Sequence, residues 1–207
     1  MRFSFGDHPS TLGPPSETNG WRSIRGPRPS AGYPLAAILG ILLLTVLVGG
    51  LILLGLVSPT GGQASPDPDS HFPWGSLIFT LVLFIPLHEL AHLIFHPGGG
   101  RSPQSMVMVW PARLRVGVYY EGRMSRRRWS VMRAAPFLVF ALVPALILAS
   151  TRGIQMGPDL SVALQLLMLL NALGSGADAL ALILVLRQVP SRAQLWFRSG
   201  MAYLRMP

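Results

Sequence analysis

The apolar run 74–95 holds His88, Glu89 and His92 inside an otherwise hydrophobic sequence. Ionisable side chains in a membrane-length helix are costly, so they face a bundle interior and pair there rather than meet lipid. A second element must therefore approach this helix with partner groups at the same depth. Few other features constrain the fold as much. The spacing of His88-Glu89-Leu90-Ala91-His92 is that of HExxH. Two histidines four apart on a helix differ by about 40° around the axis and about 6 Å along it, so both can reach one metal ion. A glutamate beside the first can hold a water and take its proton.

The chain has 207 residues, half of them hydrophobic and 12% charged, and no cysteine. Disulfides, thiolate metal sites and cysteine nucleophiles are thereby excluded, and any metal must be held by histidine and carboxylate. A mean hydropathy of +0.46 is too high for a disordered chain or an ordinary soluble domain. The stretches 34–57, 74–95, 134–150 and 160–186 approach the roughly 20 residues that cross a bilayer. The third is the shortest and contains Pro136 and Pro144. The expected fold class is an all-α membrane protein of about four transmembrane helices, with one small cytoplasmic β-hairpin between the second and third.

Charge sets the orientation. The net charge is +9, and all 17 basic residues are arginine. Sixteen of the 17 lie before the first stretch, in the loop 97–133 or after the fourth stretch, whereas 58–73 has none and carries Asp67 and Asp69. This positive-inside pattern predicts a multi-pass protein of the plasma (inner) membrane with both termini cytoplasmic. The run Arg126-Arg127-Arg128 reads as a topology anchor against anionic lipid. The lipid bilayer is the expected partner; nucleic acid is not, since no aromatic interleaving accompanies the arginines.

Three regions follow. Residues 1–33, rich in Pro, Gly and Ser, are expected to be a disordered cytoplasmic tail. Residues 34–190 form the membrane-embedded domain, and 191–207 a cytoplasmic tail. Within the loop 97–133, Ser105–Trp110 and 113–120 have strand composition, with Pro111-Ala112 between them. The hairpin so formed either caps the helices or offers an edge strand to an extended substrate. His71, in 58–73, reads as a solvated interfacial histidine.

A tetrahedral metal held by His88 and His92 needs a third protein ligand and keeps a position for water. Of eight acidic residues only Glu89 and Asp178 fall within apolar stretches. Asp178 lies nine residues before Arg187, and His88 nine before Pro97, so at about 1.5 Å per residue the two reach similar depth. Asp178 either completes the ligand set or pairs with an arginine at the interface. Glu121 is the alternative ligand, at the expense of folding the hairpin back into the membrane. His96 continues the four-residue series but lies about 12 Å from His88 along the axis, too far to share one ion. An interfacial or helix-capping role suits it better. Asn171, seven residues before Asp178, is either a substrate or oxyanion contact or a helix–helix hydrogen bond.

These residues resemble a known family. The His88–His92 motif, the hairpin loop and the segment Asn171-x-x-Gly174-x-Gly176-x-Asp178 are similar to bacterial zincin-type membrane metallopeptidases, themselves similar to site-2 proteases. There an HExxH helix and a distal aspartate in an Asn-x-x-Pro-x-Pro-x-Leu-Asp-Gly motif bind zinc. This chain has glycines for both prolines, one residue fewer before the aspartate, and Ala179 after it. The resemblance covers roughly 74–187. It implies Zn2+ held by His88, His92 and Asp178, with Glu89 as the base. The expected activity is hydrolysis of a peptide bond in a membrane-protein or peptide substrate, within or beside the membrane. The alternatives are a non-catalytic metal-binding membrane module and a small metal or ion transport component.

Overall fold

A computed structural model of the chain describes residues 1–5, 20–26, 29–53, 74–111, 115–150, 157–198 and 201–206. The expected outer loop 58–73, with Asp67, Asp69 and His71, and the Ala112 end of the expected turn lie outside the described residues. Helices dominate. α1 (Pro29–Leu53) and α2 (Trp74–Ile94) are continuous. α3 (Arg126–Phe137) runs through a π-helical turn, Leu138–Leu142, into α4 (Val143–Ser150). α5 (Pro158–Gly174) and α6 (Gly176–Gln188) follow, broken at Ser175. Ser30–Leu53, Trp74–Ile94 and Arg126–Ser150 are long and apolar enough to cross a membrane; the α5–α6 pair, bent by 42°, makes a fourth such unit if taken as one. Ile38, Ile41 and Val46 on α1 and Ile78, Phe79 and Val82 on α2 are exposed, an apolar surface suited to lipid.

The third apolar helix starts eight residues before the expected boundary at 134. Ser125 caps it, its Oγ accepting the Arg128 N–H, and the arginine run becomes the first turn. The π turn closes where the Val143 N–H bonds to Leu138 O, five residues back. Pro144 follows with no N–H to offer.

The expectation of an all-α chain with one hairpin needs correction, because two small sheets sit at one end of the helices. In the first, β1 (Arg2–Phe5) lies parallel to β3 (Ser105–Trp110), which pairs antiparallel with β4 (Arg115–Tyr120). The second has the order β2-β7-β6-β5, from Arg22–Ser23, Met201–Arg205, Gln194–Arg198 and Arg123–Ser125. Residues 2–5 and 22–23, expected in a disordered tail, are thus strands. Arg-Phe-Ser-Phe alternates polar and aromatic, but four residues are too few for that period to outweigh the surrounding Pro and Gly. The partners of β2 lie almost the whole chain away, so no local turn signals the pairing. Trp21 packs edge-on against Trp196 with centroids 5.2 Å apart, and Arg123 lies over both rings.

Two apolar clusters flank the middle of the molecule. Trp129, Met132, Val185 and Leu195 belong to the one beside the sheets, and Leu47, Ala141, Ala145 and Ala172 to the one among the helices. α1 crosses the α5–α6 bend in backbone contact. A Cβ on Gly176 would strike the Ala36 carbonyl and one on Gly40 the Leu173 carbonyl, so glycine is required at both positions.

Candidate metal centre

α2 ends because Pro97 and three glycines follow it; Gly98, Gly99 and Gly100 all adopt positive φ, at 71°, 61° and 80°. Arg128 closes the end from α3, donating from Nε to Phe95 O and from Nη2 to His96 O, both at 2.8 Å. Arg126 does the same for α6 through Leu186 O. The helices carrying the candidate ligands are therefore held together by two of the arginines expected only to anchor topology.

Asp178 lies in the first turn of α6, just past the bend, and is 4% exposed. Its Oδ2 is 3.1 Å from His88 Nε2 and 3.2 Å from His92 Nε2. Its Oδ1 is 2.7 Å from Arg133 Nη1. Asp178 thus pairs with an arginine through one oxygen and turns the other to the two imidazoles. One ligand atom from each of His88, His92 and Asp178 lies within 4.8 Å of the other two, close enough to share a metal ion.

Hydrogen bonds set the tautomers. Asn171 donates its amide to Leu167 O at 3.1 Å, which fixes its Oδ1 toward His88 Nδ1, 3.2 Å away. An amide oxygen only accepts, so His88 carries its proton on Nδ1. His92 Nδ1 faces the Met132 carbonyl at 2.9 Å and likewise donates. With Nδ1 so engaged, each ring turns its Nε2 toward Asp178 Oδ2. These three atoms converge closely enough that one divalent cation could bind them together. The donor set fits zinc: two imidazoles and one carboxylate oxygen, each imidazole oriented through its other nitrogen.

Glu89 faces the same cleft, its Oε2 accepting the Val118 N–H of β4 at 2.8 Å. The cleft, about 290 Å³, is lined by the three candidate ligands, Glu89, Arg133 and residues of β4. Asn171 does not line it. The residue is fully buried, and its side chain makes a hydrogen bond to His88 between helices. His96 is 1% exposed, its Nδ1 lies 3.2 Å from Ser105 Oγ, and its carbonyl takes the Arg128 cap. Burial, and then Arg133 and Arg128 nearby, push its imidazole down to about 4, so it is neutral near pH 7. Neither His96 nor Glu121 joins the metal-capable group among the described residues.

Arg133 is the site residue that the sequence reading misses, because the loop boundary at 133 makes it one more positive-inside arginine. Its position in α3, two turns past the cap, is the signal that would have singled it out.

A family model described as Putative zincin peptidase matches residues 81–194, more than half of the chain. The protein belongs to that family. The matched segment contains all three candidate ligands, Glu89, Arg133 and β4. No curated protein and no solved structure matches the chain. Membership of the zincin peptidases points to zinc as the ion and to peptide hydrolysis as the class of chemistry.

Proposed function

We propose that this zincin peptidase family member is a zinc-dependent endopeptidase of the bacterial inner membrane, similar in design to site-2 proteases. The observation that carries the reading is the meeting of His88, His92 and Asp178 from two helices at a cleft that also receives Glu89. His88, His92 and Asp178 would hold the ion. When bound, zinc supplies Lewis acidity toward a water and toward the scissile carbonyl. Glu89 accepts the proton of the attacking water and returns it to the leaving amine nitrogen as the C–N bond breaks. The Val118 N–H holds Glu89 Oε2 and leaves the other carboxylate oxygen for this transfer. Asn171 and the Met132 carbonyl hold the imidazoles in the tautomer that presents Nε2.

The substrate is a polypeptide in extended form, since a helix keeps its carbonyls bonded internally. β4 is an edge of its sheet. Glu121 donates its N–H to Gln104 on the β3 side, whereas Val118 donates away from β3, so even-numbered residues of β4 turn their backbone groups outward. Val116, which lines the cleft, has this outward parity and can pair with a substrate strand. Both termini are cytoplasmic in this reading, which places the cleft toward the cytoplasmic side.

The test is metal content and casein hydrolysis in detergent. Glu89→Gln keeps one zinc per chain and loses about 10²–10⁴-fold in turnover, the range for a lost general base. His88→Ala loses both zinc and turnover. A Glu89→Gln protein as active as wild type would overturn the assignment.

A further inference from the structure

Hydrolysis of an amide builds negative charge on the carbonyl oxygen as water adds to the carbon, and that charge returns to re-form the carbonyl when the amine leaves. A site that accelerates this step needs a fixed donor or cation facing the growing charge. Asn171 is turned into the protein and cannot serve. Arg133 is the cationic side chain among the residues lining the cleft.

Its geometry is that of a preset group rather than a surface charge. The guanidinium lies over the Trp129 ring, 5.4 Å from the centroid, and Trp129 is itself 1% exposed. Nη1 is bound to Asp178 Oδ1 at 2.7 Å, and Nε is buried without a hydrogen-bond partner among the described residues. The side chain is nevertheless 32% exposed, and it lines the cleft. Of the five N–H donors a guanidinium carries, one has a hydrogen-bond partner among the described residues. An arginine serving only to neutralise Asp178 needs no place in the wall of the cleft.

Resting on the peptidase reading, we infer that Arg133 is a catalytic residue of this site. It holds Asp178 by one oxygen, which leaves Oδ2 to the histidines, and turns its free terminal N–H donors to the scissile carbonyl oxygen as charge develops there. The bonds made and broken remain those of hydrolysis. Water adds to the carbonyl carbon, Glu89 carries the proton to the amine nitrogen, the C–N bond breaks, and Arg133 transfers no proton.

The experiment compares wild type, Arg133→Met and Arg133→Lys as purified full-length chains. It reads zinc content, kcat and KM for unfolded casein, and calorimetric affinity for N-phosphorylleucinamide, a tetrahedral anion. Loss of an outer-shell partner lowers metal affinity by about 10–100-fold, which leaves zinc stoichiometry intact at micromolar protein. The expected result for Arg133→Met is one zinc per chain, KM within about threefold, and kcat lower by about 10²–10³-fold, the range for one lost oxyanion donor. Affinity for the phosphoryl probe falls in parallel, and Arg133→Lys recovers part of both. Arg133→Met with kcat and probe affinity within threefold of wild type overturns the inference. So does loss of zinc like that of His88→Ala, which would make Arg133 a support of the ligand alone. If Arg133→Met does not fold, Arg133→Lys decides, since an unchanged kcat and probe affinity there would show that the fork geometry is irrelevant. A wild type that binds the probe but leaves casein intact refutes the peptidase reading instead, and the probe affinities of the variants still judge Arg133.

Discussion

At the scale of single residues the site is a set of tautomer decisions. Its main candidate residues were legible in the sequence because burying charge in an apolar run is costly, so His88, Glu89, His92 and Asp178 stood out against their surroundings. Their supports were not. The Met132 carbonyl is backbone, and any residue could present it. Arg133 was hidden among seventeen arginines until the helix start at Arg126 placed it inside a helix. Asn171 was conspicuous, but spacing could not say whether its amide faced the cleft or His88. Its observed bond predicts a particular defect. Asn171→Leu keeps the side chain's branching but leaves the His88 Nδ1–H without an acceptor and frees the ring to turn. Zinc affinity should fall by about 10–100-fold, the usual effect of losing an outer-shell partner. With zinc restored to saturation, kcat should return to within several-fold of wild type. Competition with a chromogenic chelator measures the first, and a zinc titration of activity the second. If kcat stays low at saturating zinc, Asn171 touches the reaction itself.

Among the elements, the bend between α5 and α6 matters most. Asn171 and Asp178, seven residues apart, are separated by a 42° break at Ser175, and both still reach His88. Gly174 makes room for the Phe84 ring of α2, and Gly176 for the backbone of α1. Both glycines thus serve close approach. Composition indicated strands on either side of Pro111, but not which edge of their sheet would meet α2. That depends on the pairing of β1 with β3, a contact between residues a hundred positions apart. The outward parity of β4 permits a selective test. Proline is tolerated on an edge strand where the missing N–H pointed away from the ladder. Val116→Pro removes one outward donor and none of the β3–β4 bonds, so fold and zinc content should be unchanged. KM for an extended substrate should rise about two- to tenfold, the worth of one backbone hydrogen bond, with kcat steady. Val118→Pro also releases Glu89 and should lower kcat. Unchanged KM in Val116→Pro would show that substrate does not pair with β4.

For the whole molecule, chain connectivity and the arginine pattern can be set against each other. β2 precedes α1, β3 follows α2, β5 precedes α3 and β6 follows α6, while β2 pairs with β7 and β5 with β6. Every strand therefore gathers at one end of the helices. At the other end Ser76 donates to Asp159 at 2.8 Å, clasping the starts of α2 and α5. Arg22, Arg123, Arg126 and Arg192 all belong to the sheet end, the side that the positive-inside pattern assigns to the cytoplasm. The natural chain contains no cysteine, so single introduced thiols report position without background. Gly157, exposed before α5, and Ser23, exposed on β2, lie at opposite ends. In intact spheroplasts a membrane-impermeant maleimide should label Gly157→Cys within minutes and Ser23→Cys only after the membrane is permeabilised. Labelling of Ser23→Cys in sealed spheroplasts would invert the orientation. The cleft would then open away from the cytoplasm, and its substrates would be segments presented on the outer side of the membrane.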